Sequence, residues 1–128
     1  MRLLLDTHVA LWALIGSEKL GEIAEKLLLN GSNEVFVSAA TVWEISIKHG
    51  LGRGDVPVSG ERALELFALA GYRELAVTQH HAALVETLPA IHADPFDRIL
   101  VAQATAEGMA LLTRDAAVIR YGAMVVPV

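Results

Sequence analysis

The 128-residue sequence contains no cysteine. That excludes a disulfide framework and a thiolate metal site, and it fits a reducing compartment. Aromatic residues make up 5% and prolines number four, against a hydrophobic share of 54%. This balance excludes disorder, collagen and low-complexity repeats. A long apolar run is also missing, although mean hydropathy is +0.47. The longest, Val9 to Ile15, is far short of the roughly 20 residues that span a bilayer. The stretch Leu3–Leu5, closed by Asp6, is too short for the core of a signal peptide. These absences lead us to expect a cytoplasmic protein without a membrane segment.

What is present fits a single domain over residues 1–128, since two independent cores would each be very small. A chain this long buries roughly two-thirds of its unfolded surface, so it needs no staple to fold. Net charge is −5, from ten basic and fifteen acidic residues. That counts against a nucleic-acid binder at first sight. If four of the acids share one metal site, the remainder is close to neutral, and local patches matter more than the total.

Short apolar runs alternate with helical patterns, without repeat or linker. Strands are expected at Arg2–Leu5, Glu34–Val37, Arg73–Val77, Met109–Thr113 and Ala123–Val126. Such near-continuous apolar strands suit a parallel sheet covered on both faces. Leu20, Ile23, Ala24, Leu27 and Leu28 form one helical stripe. Ser38 caps a helix expected to reach His49, and further helices are expected over Ser59–Ala70, Thr78–Leu88 and Ala116–Arg120. Asp94 as cap with Pro95 at the first helical position starts another helix, which ends at Gly108. The glycine-rich stretch Gly50–Val58 is a loop. The expected fold class is α/β: a three-layer α/β/α sandwich with a central parallel sheet of four to five strands.

In such sheets ligands sit beyond the carboxyl ends of the strands. Asp6 follows the first strand and Asp115 the fourth. Each is also a natural helix cap. Asp97 lies in a first helical turn, where it is favoured by the helix dipole and can reach back to the cap. Glu44 reads as an exposed partner for Lys48 one turn on. Singly these acids are ordinary. Together they can point into one crevice, where two unit charges 4 Å apart cost on the order of 4 kcal/mol. Such a cluster needs a cation or must take up protons. Hard oxygen donors select Mg²⁺ or Mn²⁺. The neighbouring His80 and His81 cannot share a helix face and read as surface or packing residues. A nucleophile elbow and a phosphate-binding glycine loop are both lacking, so carboxylate-held metal chemistry, suited to phosphodiester hydrolysis, is the chemistry left.

The order of these motifs resembles a known family. Asp6-Thr7-His8 with Leu11-Trp12, then Ser38 to Lys48 containing Trp43-Glu44-Ile45, then His92-Ala93-Asp94-Pro95-Phe96-Asp97-Arg98, then Leu111-Leu112-Thr113 and Asp115 resemble PIN-domain ribonucleases. They are most similar to the VapC toxins of type II toxin–antitoxin systems. The resemblance covers nearly the whole chain. It implies an endoribonuclease dependent on Mg²⁺ or Mn²⁺, a homodimer, an RNA substrate and a cognate VapB-like antitoxin. It carries Asp6, Glu44, Asp97 and Asp115 over as catalytic and metal-binding acids, and it implies 3′-hydroxyl and 5′-phosphate product ends. Thr113 is a candidate to orient Asp115 or a metal water. Asp94 is an accessory candidate that its cap role explains equally well.

Lys48, Arg98 and Arg114 flank the acids, either to contact RNA phosphates or to pair with the acids themselves. Trp12 and Trp43 read as core side chains rather than base-stacking platforms. His8 either hydrogen-bonds near the site or packs. Arg53 either belongs to an RNA or antitoxin surface or lies on an ordinary connection. Two rival readings stand beside the nuclease. A phosphoacceptor receiver domain needs an acid pair after the first strand, and only Asp6 is there. A non-catalytic binding module would keep the acids for structure alone.

Overall fold

Leu3, Leu4 and Leu5 are all fully buried, because successive strand residues point to opposite faces and both faces of this strand are covered. Leu3 and Leu5 join a core with Val35, Val37 and Leu112, and with Val9, Ala10, Ile45, Ala63 and Phe67 from helices. Leu4 joins a second core with Leu111 and Val125, and with Leu100, Val101, Ala104 and Val118 from helices on the other side. Each fully buried leucine contributes about 1.5–3 kcal/mol. The pleat of one strand thus sets three layers, and the α/β/α sandwich expected from the sequence is observed.

The computed structural model describes residues 1–122 and 124–128. The elements run β1 (Arg2–Leu5), α1 (Thr7–Ile15), a 3-10 turn (Glu18–Leu20), α2 (Gly21–Leu29), β2 (Glu34–Ser38), α3 (Ala39–Gly50), α4 (Gly60–Leu69), β3 (Arg73–Leu75), α5 (Gln79–Leu84), a second 3-10 turn (Val85–Thr87), α6 (Pro95–Glu107), β4 (Ala110–Thr113), α7 (Ala116–Ile119) and β5 (Val125–Pro127). The sheet order is β3-β2-β1-β4-β5. Every pair is parallel, with Leu3 opposite Val35 and Leu4 opposite Leu111. The chain builds outward from β1 to β3, then returns to lay β4 on the other side of β1. That reversal opens a crevice between the carboxyl ends of β1 and β4. Asp6 and Asp115 follow those two ends.

Three expectations shift in detail. β3 ends at Leu75 rather than Val77, because its sole neighbour β2 ends opposite it at Ser38, which turns away to cap α3. The helix expected over Thr78–Leu88 is α5 followed by the second 3-10 turn, and Pro89 disfavours helical backbone just before it. The last strand runs to Pro127; its expected first residue, Ala123, lies outside the described residues. α4 begins where α3 leaves no room for a side chain: a Cβ on Gly60 would stand 1.8 Å from Ser46 Oγ. Among the described residues, no helix is long and apolar enough to cross a membrane.

Candidate active site

Asp6 is 3% exposed. Its backbone is extended and its carboxylate caps α1, accepting from Val9 N–H at 2.9 Å. The other carboxylate oxygen accepts from the Thr113 hydroxyl. Burial raises the Asp6 carboxyl above its usual range, against the lowering effect of those two bonds. Thr113 Oγ1 also accepts from Asp115 N–H at 3.0 Å. One hydroxyl at the end of β4 thereby ties both strand-end acids together. Asp115 caps α7, accepting from Ala117 N–H at 2.8 Å and Val118 N–H at 3.3 Å. Both acids are therefore caps and crevice residues at once.

Glu44 is also 3% exposed. The exposed surface pair expected with Lys48 is instead an enclosed one: Lys48 Nζ lies 2.5 Å from Glu44 Oε2, and the Thr7 hydroxyl donates to Oε1 at 2.6 Å. Asp97 does not reach back to the cap of α6. Its Oδ2 lies 2.9 Å from His92 Nε2, which in turn lies 3.5 Å from Asp115 Oδ2. Asp94 keeps the cap role, accepting from Phe96 N–H at 2.8 Å, and its own N–H donates to His92 Nδ1 at 3.3 Å. Burial pushes the Asp97 carboxyl up to about 7; the charges of Asp94, Asp6 and Glu44 add to the rise and His92 opposes it. Asp6 and Glu44 therefore lie close enough for their charges to act on Asp97, and Asp115 acts in the same way on Asp6. His92 was not singled out in the sequence. The signal for it is its place two residues before the Asp94 cap.

The donor set fits a hard divalent cation. His92, Asp97 and Asp115 each offer an atom within 4.8 Å of the other two, and a cation there would offset both the burial and the neighbouring charges that raise the Asp97 carboxyl. Residues 3–123 match the PIN domain. The chain belongs to the PIN-domain family. None of the curated proteins matches it in sequence at a significant level. Among solved structures it is similar to VapBC2 from Rickettsia felis bound to a promoter DNA fragment, with TM-score 0.71 and 15% identity over 99% of this chain and 97% of that one. It is similar to a toxin–antitoxin complex from Klebsiella pneumoniae, with TM-score 0.67 and 19% identity over 97% and 95%. It is also similar to FitAB bound to an IR36 DNA fragment, with TM-score 0.64 and 25% identity over 98% and 94%.

At the mouth of this PIN-domain crevice, Asp6, His8, Trp12, Arg114 and Asp115 line an opening of about 240 Å³. His8 is exposed and leans on Trp12, with ring centroids 5.9 Å apart. Arg114 stands over the Trp12 ring at 5.8 Å and donates to the Lys19 carbonyl. Arg98 pairs with no acid among the described residues. Its guanidinium donates to the carbonyls of Val85 at 3.0 Å, Pro89 at 3.1 Å and His92 at 3.4 Å, and to the Tyr121 hydroxyl at 3.1 Å. It pins the loop that carries His92. Trp12 packs half-buried against the first core. Trp43, expected in the core, is 63% exposed and meets the edge of Phe96 at 5.1 Å. It lines an apolar groove of about 710 Å³ with Val77, Val85, Phe96 and Ile99. Arg53 pairs with Asp55 at 2.9 Å on the exposed loop. His80 is exposed, whereas His81 is buried, with Nε2 2.8 Å from Glu107.

Proposed function

We propose that this PIN domain, a single unit over residues 1–128, is a metal-dependent endoribonuclease and the VapC-like toxin of a type II toxin–antitoxin pair. The observation that carries the reading is the gathering of Asp97 and Asp115 with His92 within 4.8 Å, beside Asp6 and Glu44, whose charges add to the rise of an Asp97 carboxyl that burial pushes up to about 7. Such a set asks for positive charge, and its oxygen donors favour Mg²⁺ or Mn²⁺. When bound, the ion polarises a phosphoryl oxygen and makes a bound water a better nucleophile. Asp6 and Asp97 are the principal ligands in this reading, and Glu44 and Asp115 complete the set. Thr113 fixes Asp6 and Asp115 relative to each other. Lys48 and Thr7 hold Glu44 in place. Arg114, at the mouth beside Trp12, contacts a backbone phosphate of the RNA. Hydrolysis of this kind leaves a 3′-hydroxyl and a 5′-phosphate and makes no use of the 2′-hydroxyl.

The solved structures of similar fold from Rickettsia felis and Klebsiella pneumoniae are toxin–antitoxin complexes, which supports a VapB-like antitoxin as partner. The apolar groove beside Trp43 and Phe96 is surface suited to that partner's apolar side chains. A cytoplasmic homodimer completes the reading.

Total RNA incubated with the purified protein tests it. With Mn²⁺ or Mg²⁺ we expect a few discrete fragments carrying 5′-phosphates, none with EDTA, and cleavage also at a 2′-deoxy site. Asp6→Asn and Asp97→Asn should lose at least the ten- to hundredfold, roughly, that even outlying partners of metal sites cost. Intact RNA after incubation with folded, Mn²⁺-bound protein would overturn the nuclease and leave a binding module.

A further inference from the structure

We propose that His8 is a stacking shelf for one unpaired nucleobase of the RNA, beside the scissile phosphate. The inference rests on the proposed function for the RNA, and it adds what the site requires of the base next to the cut.

His8 and Trp12 lie one turn apart on α1, so their side chains share a face of the helix. Trp12 is half-buried against the first core, which fixes its ring. His8 is exposed and leans on that ring, with centroids 5.9 Å apart and planes at 42°. From the end of β4, Arg114 stands over the same indole at 5.8 Å and is tethered to the Lys19 carbonyl. An imidazole and a guanidinium thus stand against one anchored indole. Both line the opening that Asp6 and Asp115 line.

Among the described residues the His8 ring makes no hydrogen bond and no ion pair, and it stands outside the donor atoms gathered by His92, Asp97 and Asp115. Its flat face is what it has to offer. Bases stack on aromatic and imidazole rings whatever their identity, because every base has a π-face. Arg114 supplies the positive charge for a phosphate at the same opening, so a nucleotide held there by its phosphate has its base within reach of His8. A base inside a duplex has both faces covered by its neighbours, so the shelf takes an unpaired nucleotide. It reads no hydrogen-bonding edge; it accepts any base and favours purines, whose rings are larger.

Fluorescence anisotropy of the full chain tests this, in EDTA and again in Ca²⁺. The probes are a short single-stranded oligoribonucleotide, the same strand annealed to its complement, and a strand of equal length made of abasic sugars. On the single strand, His8→Ala should bind about ten- to a hundredfold more weakly, the effect of losing one base stack. His8→Phe keeps a flat ring and should stay close to wild type. On the duplex and on the abasic strand all three proteins should bind alike. Unchanged binding of the single strand by His8→Ala overturns the shelf, as does no binding by wild type. Equal losses in His8→Ala and His8→Phe overturn it too, and so does a loss that persists on the duplex or the abasic strand. If the expected pattern is found but total RNA stays intact with Mn²⁺, the shelf holds and the nuclease fails. If RNA is cut and His8→Ala binds the single strand as wild type does, the nuclease holds and the shelf fails.

Discussion

Glu44 on α3 and Asp97 on α6 carry the same charge near the same crevice, and the fold treats them differently. Glu44 is enclosed with a cation of its own, Lys48 at 2.5 Å, and a hydroxyl, Thr7 at 2.6 Å. Asp97 has an imidazole at 2.9 Å and no cation of its own, and burial, with the charges of Asp94, Asp6 and Glu44 behind it, pushes its carboxyl up to about 7. The α3 side is compensated from within the chain. The α6 side is left wanting positive charge, and that is where an ion changes most.

Removing the internal cation should have the largest effect. Lys48→Met leaves Glu44 buried beside Thr7 without its counter-charge, which should cost about 3 kcal/mol in urea unfolding. The double variant Lys48→Met/Glu44→Gln should recover most of that. An unchanged midpoint for Lys48→Met alone would mean that Glu44 is not held by the pair.

On the α6 side the effect depends on pH. Asp97 binds its proton more tightly folded than unfolded, since about 7 lies above the usual 3.8. Its contribution therefore falls as pH rises from the unfolded value to the folded one, and is flat beyond. With EDTA, Asp97→Asn should melt above wild type by a margin that widens from about pH 4 to about pH 7 and then stays level. Mn²⁺ should close the margin by stabilising wild type. A margin that does not change with pH would remove the distinction between the two acids.

The smallest effect sharpens the contrast from outside. Arg53 and Asp55 form an ion pair as close as many buried ones, at 2.9 Å, but both side chains are about half exposed, at 50% and 52%. Solvent screens such a pair. Arg53→Ala should leave the urea midpoint where it is, while Lys48→Met moves it.

The acids legible in the sequence are those whose neighbours in the chain define them. Asp6 and Asp115 each stand between an apolar run and a helix start, so strand end and cap are both readable there. Asp94-Pro95 is readable for the same reason. Asp97 misleads because its local option, the cap, loses to His92, whose ring is placed by a loop and by Arg98. Arg98 itself reads as a phosphate contact or a partner for a neighbouring acid, yet it is bound to carbonyls gathered by the folded loop and to the Tyr121 hydroxyl. Trp43 misleads because α3 is apolar around much of its circumference. Ile45 is fully buried, while Trp43 is left outside against Phe96. The fold class is legible because apolar strands alternating with helices allow few arrangements. The end of β3 is not, because the end of its partner β2 at Ser38, 37 residues earlier, decides it.

The bond from Thr113 to Asp6 joins positions 107 residues apart, and β1 finds β4 only after everything between has been made. At about 5–20 residues per second, roughly 5–20 s of synthesis separate the two. During that time a nascent chain displays Asp6 without Asp97 or Asp115 beside it. The first acid of the site to leave the ribosome waits for the last, so on the proposed function the nascent protein cannot cut RNA before Asp97 and Asp115 have been added.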